Sequence, residues 1–150
     1  MNPEYDLAGK VIGLAMKVHR TLGSGFLEGV YKKALQHEVL KDGLSAEIEV
    51  PIQVFYEGVV VGSYFADLVV SQVLIVETKA AASLSPANEV QLVNYLTATG
   101  KNGGLLLNFG AQSLEFKKKF RVYKARNPED VTLNEPSQNS PNSVNFVNPV

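Results

Sequence analysis

A chain of 150 residues, 45% of them apolar, is long enough for one domain with a real core. The absence of cysteine excludes disulfides, zinc thiolates and thiol nucleophiles, and two histidines far apart in sequence do not make a histidine-rich metal site. Net charge is −1, yet Glu115 to Arg126 holds six basic residues and one acid, a local +5, while the rest holds eight basic and fourteen acidic residues, −6; local charge steers a polyanion better than the total does.

Met1-Asn2-Pro3-Glu4 lacks the basic stretch and apolar run of a secretory signal, and a cytoplasmic location is expected. No apolar run approaches the ~20 residues of a membrane helix. Asp6 to Leu22 reads as a helix, with Val11, Leu14, Ala15, Val18 and Leu22 at helical spacing and Gly23-Ser24-Gly25 as its stop. A second helix is expected from Leu27 to Lys41, burying Leu27, Val30, Tyr31, Ala34 and Leu35. Strands follow: Ala46 to Tyr56, a turn at Glu57-Gly58, then Val59 to Val70 with a bend near Gly62, then Val73 to Lys79. Val73-Leu74-Ile75-Val76 is apolar at every position, as in a strand covered on both faces. Ser85-Pro86 opens a third helix, Ala87 to Thr99, ended by Gly100. Gly103 to Asn108 reads as a buried strand and Leu114 to Lys124 as the last. From Asn127 onward come six asparagines, four of the seven prolines, three serines and no basic residue, a tail that cannot bury much surface. The domain is expected over 1–126, with the tail at 127–150.

Three charged residues stand on these apolar strands: Asp67, Glu77 and Lys79. Converging carboxylates hold a hard divalent cation through oxygen, and a nearby ammonium orients a water or offsets phosphate charge. Such parts suit metal-assisted phosphodiester hydrolysis. Glu77 and Lys79 share a strand face because side chains alternate. A two-residue turn at Ser71-Gln72 pairs Asp67 with Val76 and turns it away from Glu77. A three-residue loop or one bulge pairs Asp67 with Glu77, and only that register lets both acids share a cation. The alternative is a solvated face on which Glu77 and Lys79 compensate each other and Asp67 binds turn amides.

Other positions divide similarly. Glu28 and Tyr31 neighbour each other on the second helix, where Glu28 also suits the helix dipole. Gln91 and Tyr95 share a side of the third helix; Gln91 either donates to a phosphate or is an exposed glutamine. Lys117, Lys119, Arg121 and Tyr123 fall on one face of the last strand, opposite Phe116, Lys118, Phe120 and Val122. That face suits phosphate contact and base stacking, or lysine protection of a sheet edge. His19 lies beside an apolar stripe and reads as packed; His37 reads as surface.

Taken in order, Gly25-Phe26-Leu27-Glu28-Gly29-Val30-Tyr31, Asp67 with Glu77-Thr78-Lys79, Gln91-Leu92-Val93-Asn94-Tyr95 and Gly104 to Gly110 resemble the GxxExxY family of the PD-(D/E)XK nuclease superfamily. The likeness runs from about Asp6 to Tyr123. It implies an α/β, restriction-endonuclease-like core: a mixed central β-sheet of about four to five strands flanked by helices on both faces, in the order ααβββαββ. It implies that Asp67, Glu77 and the backbone carbonyl of Thr78 bind Mg²⁺ or Mn²⁺. Lys79 then polarises the attacking water, Glu28 completes the acidic cluster, and Gln91 and Tyr95 orient Lys79 or the substrate strand, as in RecB-like members. Tyr31, Lys117, Lys119 and Arg121 are further expected substrate contacts. The implied substrate is DNA, with no membrane and with a homodimer or larger complex as possible assemblies. Ala66 stands where the superfamily name has proline, and Thr78 where an apolar residue is expected. The other reading of this likeness is a non-catalytic nucleic-acid-binding or assembly module that keeps the fold.

Overall fold

Leu74-Ile75-Val76 and Leu105-Leu106-Leu107 are apolar at consecutive positions, and strands of that kind need cover on both faces. In the computed structural model, which describes residues 3–121, they form the two parallel strands at the middle of a five-stranded sheet. The elements are α1 (Pro3–Leu22), α2 (Glu28–Lys41), β1 (Ala46–Tyr56), β2 (Val59–Val70), β3 (Leu74–Lys79), α3 (Pro86–Thr99), β4 (Gly103–Asn108) and β5 (Glu115–Phe120). Sheet order follows chain order, and every neighbouring pair except β3–β4 is antiparallel. The parallel pair requires a crossover, and α3 supplies it. This is the expected α/β architecture, a mixed sheet flanked by helices in the order ααβββαββ, consistent with a restriction-endonuclease-like fold.

Both faces carry a core. On one, Val11, Ala15 and Val18 of α1 and Tyr31, Leu35 and Val39 of α2 meet Leu68, Val70, Leu74, Val76, Leu105 and Leu107. On the other, Leu92, Tyr95 and Leu96 of α3 meet Ile52, Ala66, Val69, Ile75 and Leu106. Each fully buried leucine contributes about 2 kcal/mol of transfer free energy, so the doubly covered strands β3 and β4 anchor the sheet.

Several boundaries shift for local reasons. Val73 lies in the turn and is exposed, so β3 starts at Leu74. In α2 the buried stripe is Tyr31, Leu35 and Val39, one residue every turn; Leu27 caps the helix and Val30 faces outward, both exposed. Ser85 caps α3 through a reciprocal bond with Asn88, and Gly100 closes it at φ 74°. The bend expected near Gly62 is a register shift opposite Val54 and Phe55. The last strand stops at Phe120; its expected continuation to Lys124, with Val122 and Tyr123, and the 127–150 tail lie outside the described residues. Among the described residues no helix is long and apolar enough to cross a membrane.

The link between α1 and α2 is folded by Tyr31. Its hydroxyl donates to the Gly23 carbonyl and accepts from the Phe26 N–H at 3.1 Å, while its ring stacks on Phe109 at 4.7 Å. Those two hydrogen bonds tie the loop to the first turn of α2, where Glu28 begins the helix. We expect Tyr31→Phe to cost about 1–2 kcal/mol by stranding both loop groups. Urea denaturation of the two proteins measures this.

Candidate active site

The β2–β3 hairpin decides whether the acids meet. Ser71 and Gln72 both adopt left-handed backbone, at φ 52° and 63°, and Val70 pairs with Leu74 across three loop residues. The ladder continues through Val69–Ile75 and Leu68–Val76, which puts Asp67 opposite Glu77. At that point side chains replace the ladder. The Asp67 N–H donates to Glu77 Oε2 at 2.9 Å, and the Thr78 N–H donates to Asp67 Oδ2 at 2.9 Å. The Thr78 hydroxyl adds a longer bond to the same Asp67 oxygen at 3.3 Å, so the polar residue between Glu77 and Lys79 has a partner in its buried place.

The first strand turns at the same level. Ile48 and Leu68 pack with the α1–α2 core, whereas Val50 and Ala66 pack with the α3 core, although all four have even numbers. Between them Glu49 has φ 54°, and no Glu49–Asp67 pair forms in the ladder. The side-chain alternation thus reverses beside Asp67, and β2 parts from β3 there.

Charge accumulates in this opening. Glu77 is only 4% exposed. Burial first, then the Asp67 carboxylate and more weakly Glu28, push its acid up to about 8, against the pull of the Asp67 N–H and of Lys79. Glu28 is also raised, by burial and then by Asp67, with Lys79 and Lys32 opposing. The Tyr95 phenol is pushed up to about 12, by burial and then by Glu77, Asp67 and Tyr64. Asp67, Glu77, Lys79, Glu28 and Tyr95 therefore share one electrostatic neighbourhood, although they come from two strands and two helices. Lys79 forms no ion pair among the described residues.

The other expected site residues are distributed unevenly. Gln91 and Tyr95 border a groove between α3 and the far part of the β1–β2 hairpin. Tyr31 does not face the opening: it is fully buried and its hydroxyl is committed to the loop, so the expected substrate contact is corrected to a structural support for Glu28. Lys117 and Lys119 face α3, where Glu89 lies 4.0 Å and 3.0 Å from their ammonium groups. In strand register Lys117 lies beside Leu106, which lies beside Glu77, so it stands two strands from the acids, roughly 10 Å away at ordinary strand spacing. Arg121 lies past the end of β5 and donates to Asn102 Oδ1 at 2.9 Å. His19 is buried against Phe109, its Nε2 3.0 Å from the Ala111 carbonyl, and His37 is exposed.

One supporting group escaped the sequence reading. Asn108 ends β4 fully buried. Its amide donates to the Ala81 carbonyl and to Glu115 Oε1, at 2.9 and 2.8 Å, and its oxygen accepts from the N–H groups of Ala81 and Gly110. The next N–H, of Phe109, donates to the Lys79 carbonyl at 2.8 Å. At Gly110 a Cβ would fall 2.4–2.6 Å from Ala80 and Ala81 backbone atoms. The segment leaving Lys79 is thus clamped on both sides. An asparagine closing an apolar strand just before Phe-Gly is the only sequence signal for it.

A family model for the PD-(D/E)XK nuclease superfamily matches residues 5–121. The chain belongs to that superfamily. Its members are mostly nucleases, and they typically use divalent metals. No curated protein matches the chain. A solved structure described as the crystal structure of SSO0001 is similar at 17% identity and TM-score 0.48, over 65% of this chain and 50% of that one. The chain thus spans about half the length of that relative.

Among the described residues no group of three or more acid, histidine or cysteine side chains is placed to hold a metal. The available set is two carboxylates, each with one oxygen outside the bonds described above, plus backbone oxygen beside them. Two acids that repel each other in a buried site, one of them raised to about 8, fit a hard divalent cation, which removes the repulsion.

Glu77 also ties stability to pH. A carboxyl raised from 4.5 to about 8 binds a proton in the folded state that the unfolded chain lacks, so stability falls as pH rises across that window. Without divalent cation, we expect Glu77→Gln to melt above the parent at pH 9 and close to it at pH 5, by thermal denaturation in chelator. Gly110→Ala should lose roughly 3 kcal/mol by backbone overpacking against Ala80 and Ala81, read as a lowered urea midpoint.

Proposed function

We propose that this chain is a metal-dependent nuclease that hydrolyses DNA phosphodiester bonds, and that it belongs to the GxxExxY branch of its superfamily. The observation that carries the reading is the exchange of carboxylates between Asp67 and Glu77, with Lys79, which forms no ion pair among the described residues, beside them. Asp67, Glu77 and the Thr78 carbonyl are the groups that would hold Mg²⁺ or Mn²⁺. A bound cation supplies neutralisation of phosphate charge and lowers the pKa of a water. Lys79, fixed by the Asn108 clamp, orients that water and offsets charge developing on the phosphate. Glu28 adds a third carboxylate at the rim, and Gln91 and Tyr95 hold the substrate strand or Lys79. Lys117, Lys119 and Arg121 give a peripheral phosphate contact, weakened by the pairing of the two lysines with Glu89. The same reading keeps the domain at 1–126, a cytoplasmic setting, and a homodimer or larger complex where substrate readout needs more surface.

A second reading, a nucleic-acid-binding or assembly module with this fold and no turnover, is favoured by the lack of a three-ligand cluster among the described residues. Incubation with plasmid, single-stranded and branched DNA, in Mg²⁺, Mn²⁺ or chelator, separates the two. We expect cleavage that needs the metal and drops at least about a hundredfold in Asp67→Ala and Lys79→Ala, the size of losing a charge-stabilising group. Binding that persists in both variants with no cleavage by the parent establishes the module instead.

A further inference from the structure

We propose that the groove between the β1–β2 hairpin and α3 is a subsite for an unpaired nucleobase of single-stranded DNA; this rests on the nuclease reading and names the form of its substrate. The groove encloses about 880 Å³, within the size of small-ligand sites. Its walls are aromatic and apolar, with the Gln91 and Asn94 carboxamides as the polar groups that a base edge requires.

Three observations select a base over another occupant. Tyr64 is 46% exposed and leans on Tyr95, ring centres 5.6 Å apart at a tilted 46°, so about half of it stays accessible for stacking; Tyr56, 54% exposed, lines the same groove. Gly62 keeps this arrangement: a Cβ there would lie 3.1 Å from the Tyr64 ring, so the ring occupies space that other residues would fill. One wall is Tyr95, whose phenol feels the charges of Glu77 and Asp67, so the groove lies on the side of α3 that faces the acids. At the outer side, Val90 and Asn94 also border a shallow depression lined by Lys119 and its ion-pair partner Glu89, 3.0 Å apart, so a phosphate leaving over α3 would meet a lysine already shared with a carboxylate. A paired base hides its faces in the duplex stack, so an aromatic groove of this kind selects unpaired nucleotides.

The test uses the full chain carrying Asp67→Asn, which stops cleavage, with Ca²⁺ present. Fluorescence anisotropy compares a short oligothymidylate with an abasic deoxyribose-phosphate strand of equal length. We expect the base-bearing strand to bind about tenfold tighter or more, the effect of one base–aromatic stack. Tyr64→Ala and Gly62→Val, each added to that chain and checked for fold by circular dichroism, should erase the preference while abasic binding holds. Gly62→Val keeps the test available if Tyr64→Ala does not fold. Lack of preference in the starting protein overturns the proposal, and so does an equal loss for both strands in the variants. A dimer in sedimentation that Tyr64→Ala splits also overturns it, marking the groove as a contact between copies. None of these touches the nuclease reading, which stands or falls on metal-dependent plasmid cleavage and its loss in Lys79→Ala.

Discussion

The end of the sheet hangs on two backbone N–H groups that are satisfied by carboxylates instead of by a neighbouring strand. Where β2 leaves β3, Asp67 and Thr78 donate to each other's side of the hairpin through Glu77 and Asp67. Buried N–H groups must find acceptors, so the acids do structural work as they gather charge. Neither task is separable from the register: a hairpin one loop residue shorter would turn one acid to the other face and leave both amides without these partners.

That arrangement is electrostatically unfavourable without a counter-charge. Glu77 is buried, faces Asp67 and feels Glu28, while Lys79 offsets only part of the sum. Proteins tolerate such clusters where a cation or a proton completes them, and strongly perturbed acids in an opening mark functional sites more often than structural ones. The basic residues near the end of the described chain do not relieve it, because Lys117 and Lys119 are held by Glu89 on α3. Positive charge beside the acids is thus left to Lys79 and to what the opening binds.

Much of what looks like a site motif acts one step back. The Gly-x-x-Glu-x-x-Tyr run divides its labour: Gly25 turns the loop at φ 121°, Tyr31 locks it, and Glu28 alone reaches the acids' field. Asn108 and Gly110 do the same for Lys79 from the far strand, through backbone bonds and a lack of room. Catalytic groups need tight placement, and buried partners that cannot shift provide it.

Periodicity along the chain determined the element order, the two doubly covered strands and the three helices, because those depend on which residues are apolar and how they recur. It also singled out Asp67, Glu77 and Lys79, since charges on apolar strands are conspicuous. Side-chain direction was less legible: Val30 and Leu27 have the character of core yet point outward, and Tyr31 has the character of a contact yet lies inside. The hairpin register was open between two loop lengths, and the reversal at Glu49 left no mark in composition. Asn108 grips Ala81 across 27 positions, a relation that no local pattern encodes. What tertiary structure alone decided is which groups meet: partners distant in sequence are set by how strands register and helices dock, and those depend on the packing of the entire sheet.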